Sequence, residues 1–219
     1  MTAPLCLCKG EFVFGGTVEE VWIGTAYQPV FARAAGPAAG PLALGIHGWS
    51  QRNGAHTWAP FLPPLAQAGC RALSLDMPGW GRSERWAQGP AAGSDDVALL
   101  AAVLDGLPAG PVILMGKSWG GGAALRFACH DPTRVAALIL SAPAFRGNLA
   151  PLAGAMPTLI VWSEDDPVIP VDAAAHFLEQ LPQAELLRYP TGGHSAAMNN
   201  VAACAPAVVA FLRRQGLLA

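Results

Sequence analysis

The feature that most constrains this chain is the pentapeptide Gly116-Lys117-Ser118-Trp119-Gly120. It fits G-x-S-x-G, a strand-to-helix turn so sharp that its central serine points off the edge of a sheet. The residues before it, Pro111-Val112-Ile113-Leu114-Met115, are a short apolar run suited to a strand buried on both faces. Those after it, Gly120 to His130, include Ala123, Ala124, Leu125, Phe127 and Ala128 and read as a helix. Gly116 and Gly120 fit the same turn, because it puts Ser118 at positive φ and brings its neighbours against strand and helix backbone, where a Cβ would clash. At the helix N-terminus, unpaired N–H groups and the helix dipole would stabilise an oxyanion. A chain with 25 glycines can produce the spacing by chance, so the motif needs support from elsewhere.

A length of 219 residues suits one α/β domain, residues 1–219, with a sizeable core. Net charge is −2 with 13% charged residues, which leaves no electrostatic footprint for nucleic acid or an anionic membrane. The longest apolar stretch, Val201 to Leu212, carries Pro206 and is too short to span a bilayer. Met1 to Gly10 lacks a basic segment followed by an apolar one, so the expectation is a cytoplasmic protein. The cysteines (Cys6, Cys8, Cys70, Cys129, Cys204) are odd in number and lack framework spacing, and they read as reduced thiols. Cys6-x-Cys8 is a weak metal or redox signal, and no metal or organic cofactor is expected.

Along the chain, strand-like and helix-like stretches alternate, the pattern of a mostly parallel sheet with helices on both faces. Residues 18–25 and 28–34 form an expected antiparallel edge pair. Strands follow at Leu42–Ile46, Arg71–Leu75, Val135–Leu140, Thr158–Val161 and Glu185–Tyr189. Helices are expected at about Thr57–Ala68, broken by Pro60, Pro63 and Pro64, from Ser94 or Asp95 to Leu107, at Val171–Gln180, and last up to Arg214. Pro206 is expected in the first turn of that last helix, where its missing N–H costs nothing.

A serine hydroxyl is a poor nucleophile at neutral pH unless a base takes its proton, and the base needs a third group to fix its tautomer and stabilise its charged form. In this topology the chain order is serine, acid, histidine. The strand Thr158–Val161 delivers Glu164-Asp165-Asp166-Pro167 to the end of the sheet where the elbow lies. Asp166 is the preferred acid, because Glu164 and Asp165 lie closer to the strand end and fit solvated or turn-forming roles. One strand later, Gly192-Gly193-His194-Ser195 places His194 on a Gly-rich loop as the base. Taken singly, Asp166 reads as a turn former and His194 as a solvated loop residue; their order after the elbow is what argues for chemistry.

His47, His56, His130 and His176 read as structural. The loop after Leu42–Ile46 should nevertheless supply an oxyanion N–H, with Trp49 as the donor and Trp119 as the second. Neither role uses an indole. The rings of Trp49, Trp119, Trp58, Trp80 and Trp86 either line the mouth of the site or fill core and surface grooves.

His47-Gly48-Trp49, Asp76-x-Pro78-Gly79-x-Gly81-x-Ser83, Gly116-x-Ser118-x-Gly120-Gly121, Asp166-Pro167-x-x-Pro170 and Gly193-His194 occur in the order seen in the α/β-hydrolase fold superfamily, which the chain resembles over roughly residues 40–215. The resemblance implies a triad of Ser118, Asp166 and His194 with Trp49 and Trp119 as oxyanion donors, working without cofactor or metal. Lys117 departs from the pattern, since many relatives have histidine before the nucleophile. The other departure is that residues 142–157 are too few for the helical cap that most relatives insert, so an open site is expected. The capless hydrolases similar to this chain are the abhydrolase-domain 14 proteins, which share Leu65-Ala66-Gln67-Ala68-Gly69, Arg71-Ala72 and Asp76-Met77-Pro78-Gly79.

What this implies is a serine hydrolase that cleaves a carboxylic ester or related acyl bond through an acyl-enzyme, acting on a small-molecule acyl substrate or an acyl group on a larger carrier. Amide, acyl-lysine and thioester hydrolysis stay open beside it. A ligand-binding regulatory protein on a hydrolase scaffold is the reading from another class.

Overall fold

The computed structural model describes residues 6–13 and 16–219, with side-chain surroundings from residue 17 onward. Its frame is a nine-stranded sheet in the order β1-β2-β3-β5-β4-β6-β7-β8-β9. The first three strands, β1 (Cys6–Val13), β2 (Gly16–Ile23) and β3 (Val30–Ala35), are antiparallel, and β3 joins β5 (Arg71–Leu75) in the same sense. From β5 onward the sheet is parallel through β4 (Leu42–Ile46), β6 (Val112–Lys117), β7 (Val135–Ser141), β8 (Thr158–Ser163) and β9 (Glu185–Tyr189). The expected edge pair is thus part of a three-stranded edge. β1 escapes a periodicity reading because Cys6-Leu7-Cys8-Lys9-Gly10 carries no clean alternation. The side chains of Cys6 and Cys8 lie outside the described residues.

The parallel strands bury both faces, and alternate residues feed two cores. Leu44, Leu114, Leu138 and Ile160 face α2 (Asp96–Asp105), α3 (Trp119–His130) and α4 (Ala174–Gln180) through Leu100, Phe127 and Phe177. Ala43, Ile113, Ile139 and Val161 face α1 (Leu62–Gln67) and α6 (Val201–Arg214) through Leu65, Val208 and Phe211. The short α5 (Ala196–Asn199) precedes α6. α2 has the predicted cap: Asp95 Oδ1 accepts from the Ala98 N–H. α1 does begin late, after a 3₁₀ turn at Ala59–Phe61.

Pro206 corrects one expectation. It stands well inside α6, beyond the first turn. The helix tolerates it because Pro206 and Ala202, four residues earlier, lie on the exposed face, where the unpaired carbonyl can meet water. Cys204, Ala205, Val208, Phe211 and Leu212 stay packed on the sheet. No described helix is long and apolar enough by itself to cross a membrane; α5 and α6 with the turn before them pass that test only as a pair bent by 69°.

All six parallel strands point their C-terminal ends the same way, and the pairing of Ile46 with Gly116 sets the end of β4 beside the end of β6. The connector 142–157 contains one 3₁₀ turn, Ala150–Leu152, and no cap. The β6–α3 turn depends on close backbone approach: a Cβ on Gly120 would lie 2.4 Å from the His47 carbonyl oxygen, and one on Gly116 2.5 Å from Gly121 Cα. Gly120→Ala should therefore cost about 1–3 kcal/mol in urea unfolding. A variant as stable as the wild type would contradict the packing of β4 against the turn.

Candidate active site

Ser118 sits at φ 51° and ψ −117°, a conformation that costs a non-glycine residue about 1–3 kcal/mol. Its backbone is pinned on three sides. The Ser118 N–H donates to Ser141 O at 2.9 Å, and its carbonyl accepts from the Gly122 and Ala144 N–H groups at 3.0 and 2.9 Å. A serine at a helix N-cap ordinarily caps the first turn with its own Oγ. Here Ser118 makes no such bond, and the turn leaves Oγ free to meet His194 Nε2 at 2.9 Å.

The three residues selected from sequence come together. His194 Nδ1 lies 2.9 Å from Asp166 Oδ2 and 3.2 Å from Oδ1. Oδ1 also accepts from the Val168 and Ile169 N–H groups at 2.9 and 3.0 Å, so the carboxylate is held by its own turn. The Asp166 side chain is 0% exposed and that of His194 20% exposed, so water reaches the imidazole but not the carboxylate. The competing acids go elsewhere. Glu164 pairs with Arg188 at 3.3 Å, and Asp165 Oδ1 accepts from the Gly193 N–H at 2.8 Å, a bond that holds Asp165 below the ordinary carboxylate range. Asp165 thus shapes the histidine loop from the solvent side. Ser163 Oγ donates to Gly193 O at 2.6 Å, and the Asn199 and Asn200 amides donate to Gly192 O and Thr191 O.

The loop after β4 passes close to Ser118; a Cβ on Gly48 would stand 3.6 Å from Ser118 Cβ. Neither the Trp49 nor the Trp119 N–H has an acceptor among the described residues, and Trp119 is the first residue of α3, where helix donors are unpaired. The indoles divide. Trp58 and Trp86 are buried, Trp80 stacks on Trp119 at 5.4 Å, and Trp49, 53% exposed, stands edge-on to both at 5.2 Å. Trp80 Nε1 donates to Trp49 O at 3.1 Å, so the aromatic cluster also steadies this loop. The motif from Asp76 to Ser83 serves the same end of the sheet: Asp76 accepts from the Ala55 and Arg82 N–H groups, and Ser83 Oγ donates to Asp76 O.

His47, structural by sequence, has a more specific position. Its ring is fully buried, and Nε2 accepts from the Met77 N–H at 3.1 Å. That leaves Nδ1 as the protonated nitrogen, donating to Gly48 O at 2.7 Å. Gly48 O and Trp49 N belong to one peptide plane, so His47 sets the direction of the Trp49 N–H. The histidine offers no sequence signal for this, because the bond depends on which backbone N–H arrives from the end of β5. A second feature is equally silent in the sequence. Ala142 also has positive φ, 43°, as it turns the chain from β7 past Ser118.

A groove of about 630 Å³ opens between Pro143–Arg146 and Val168–Pro170 and is lined also by Phe177 of α4. Both walls begin at backbone groups bonded to the site: the Ala144 N–H on Ser118 and the Val168 and Ile169 N–H groups on Asp166. Cys70 and Cys204 lie elsewhere, with thiols pushed up to about 12 and about 11 by burial, so they stay protonated at neutral pH.

Burial pushes His47 below the ordinary 6.5, against the Gly48 bond and Asp76, which favour the cation; His56 and Lys117 oppose it. Below pH 6.5 the unfolded chain therefore takes up this proton more readily than the folded one, and stability falls as pH drops. Unfolding followed at several pH values should show part of this acid sensitivity missing in His47→Gln. Identical slopes for the two proteins would contradict a neutral, clamped His47.

A sequence model described as "alpha/beta hydrolase fold" matches residues 44–153, and one described as "TAP-like protein" matches residues 141–217. A Pongo abelii protein, ABHD14B, named as a candidate protein-lysine deacylase, is 34% identical over 176 residues, 76% of this chain and 82% of its own. The 2-hydroxy-6-oxononadienedioate/2-hydroxy-6-oxononatrienedioate hydrolase of Klebsiella pneumoniae is 39% identical over 90 residues, 40% of this chain and 31% of its own. A solved structure from Thermoplasma acidophilum, described as a CIB-like hydrolase, superposes with TM-score 0.81 at 22% identity, over 91% of this chain and 100% of that one. With the elbow, the parallel sheet and a relative aligned along most of its length, the chain belongs to the α/β-hydrolase fold family.

Proposed function

We propose that this chain is a serine hydrolase that cleaves an ester or related acyl bond, with Ser118 as nucleophile, His194 as general base and Asp166 as the acid that orients it. The observation that carries this reading is the continuous relay from Ser118 Oγ to His194 Nε2 and from His194 Nδ1 to Asp166 Oδ2, each step 2.9 Å. On this reading the first proton moves from Ser118 to His194. With Nδ1–H donated to a buried carboxylate, Nε2 is left as the acceptor for the serine proton, and Asp166 stabilises the imidazolium that results.

Ser118 Oγ attacks the acyl carbonyl, and the new oxyanion forms between the N–H groups of Trp49 and Trp119. His194 returns its proton to the leaving oxygen or nitrogen, and the leaving group departs. Water then repeats the sequence on the acyl-enzyme, with His194 again the base, and frees Ser118. The groove between Pro143–Arg146 and Val168–Pro170 accepts an apolar arm of the substrate, and its volume falls in the usual range for small-molecule sites. Without a cap, one side stays open to an acyl group on a larger carrier. Amide cleavage is the second reading, and the protein-lysine deacylase name of the 34% identical relative favours it. The same relay serves it, with the leaving amine protonated by His194.

Hydrolysis of short and medium p-nitrophenyl esters tests the reading. Ser118→Ala should lower kcat about 10⁶-fold and Asp166→Asn about 10⁴-fold. Asp165→Asn, which loosens a loop bond and leaves the relay intact, should cost far less. A loss with Asp165→Asn equal to that with Asp166→Asn would move the acid's role, and ester turnover unaffected by Ser118→Ala would overturn the assignment.

A further inference from the structure

Lys117 is the one residue of the elbow that the relay leaves without a task. Lysine rarely ends a buried strand, since its ammonium loses most of its hydration there. Every residue of β6 is buried, Lys117 included, with 9% of its surface exposed. Its side chain has one hydrogen-bond partner among the described residues: Nζ donates to Ser195 Oγ at 2.7 Å.

The position of that partner is what matters. Lys117 precedes Ser118, and Ser195 follows His194. The contact between residues 117 and 195, at 2.7 Å, therefore runs beside the contact between residues 118 and 194, at 2.9 Å, across the same gap between the β6 turn and the β9 loop. The other side-chain bonds on the histidine loop come from Ser163, Asp165, Asp166, Asn199 and Asn200, which lie on β8, its turn or the α5–α6 segment. They fix the loop relative to its neighbours in sequence and in the sheet. None of them reaches the strand that carries the nucleophile.

We propose that Lys117 is a positioning residue: its bond to Ser195 braces the histidine loop against the elbow and holds His194 Nε2 at hydrogen-bonding distance from Ser118 Oγ. The inference rests on the serine-hydrolase reading above. A brace of this kind has a reason to exist in this chain, because the base sits on Gly192-Gly193, with φ 144° and 55°, and no cap packs over it. The desolvated ammonium has compensation nearby. Burial lowers the affinity of Lys117 for its proton, and Asp166 acts in the opposite direction. The same cation disfavours a proton on His47. Serine hydroxyl suits the tether in either protonation state of lysine, since an amine and an ammonium both donate to it.

Removing the brace frees the base to drift, and misplacement of about 1 Å costs up to 10²-fold in rate. Lys117→Met and Ser195→Ala should each lower kcat for a p-nitrophenyl ester by roughly 10- to 100-fold. KM should change by less than about twofold, because neither residue lines the groove. The double variant should be no slower than the slower single one, since both delete the same bond. Ser195→Thr, which keeps the hydroxyl, should recover most of the loss. Ser195→Ala and Ser195→Thr carry the test if Lys117→Met fails to fold, which thermal unfolding reports.

Single variants with wild-type kcat, single effects that multiply in the double variant, or a Ser195→Thr protein as slow as Ser195→Ala would each overturn the brace. Failure of the underlying reading looks different. In that case wild type and Ser118→Ala give the same rate, whereas a failed brace leaves wild-type turnover dependent on Ser118 and indifferent to residues 117 and 195.

Discussion

The site depends on one strained residue. Ser118 holds a left-handed conformation that its own side chain disfavours, and the sheet and helix around it impose that conformation. β6 is hydrogen-bonded on both sides, α3 begins at the next residue, and Gly116 and Gly120 let the β4 turn and the helix backbone close to distances no side chain would permit. The Ser141 carbonyl and the Ala144 N–H then grip Ser118 from the β7 side. Three separate strand ends thus determine one torsion angle. The result is an Oγ directed away from the helix it would otherwise cap and toward the histidine.

The same end of the sheet gathers the remaining parts, one strand end at a time. From β4 comes the Trp49 peptide, oriented by a buried neutral His47. The Asp76–Ser83 loop after β5 holds no reacting group; it supplies the Met77 N–H that fixes the tautomer of His47, and Trp80, which anchors the Trp49 carbonyl. From β8 comes a carboxylate held by its own turn, and from β9 a histidine loop tied down by Asp165 and Ser163 and by the amides of Asn199 and Asn200. Each polar group that must keep its direction is bonded at its far side. In the proposed reaction that arrangement would lower the reorganisation needed when charge develops on the substrate.

The elbow, the order of serine, acid and histidine, and the parallel core were legible because each leaves a local mark: glycines at fixed spacing, a loop after an apolar run, strands of constant hydrophobicity. Asp166 could be preferred to Asp165 from its distance past the strand end, and the structure brings Asp166 to His194 while turning Asp165 to a loop N–H. What the sequence hid is long-range. The pairing of Lys117 with Ser195 spans 78 residues, and the role of His47 depends on a backbone N–H 30 residues away. Pro206 was misplaced because a proline signals a helix start only when the face it occupies must be bonded; on an exposed face, packing of the opposite side outweighs it. β1 went unread for want of alternation.

The measurement that bears most directly on the central claim is the site of reaction with a fluorophosphonate, which labels a hydroxyl activated by a neighbouring base. Intact mass and peptide mapping should find one adduct per chain, on Ser118, formed quickly in the wild type and scarcely at all in a folded His194→Ala protein. A folded wild type that takes up no label, or carries it on Ser195 or another residue, would contradict the account.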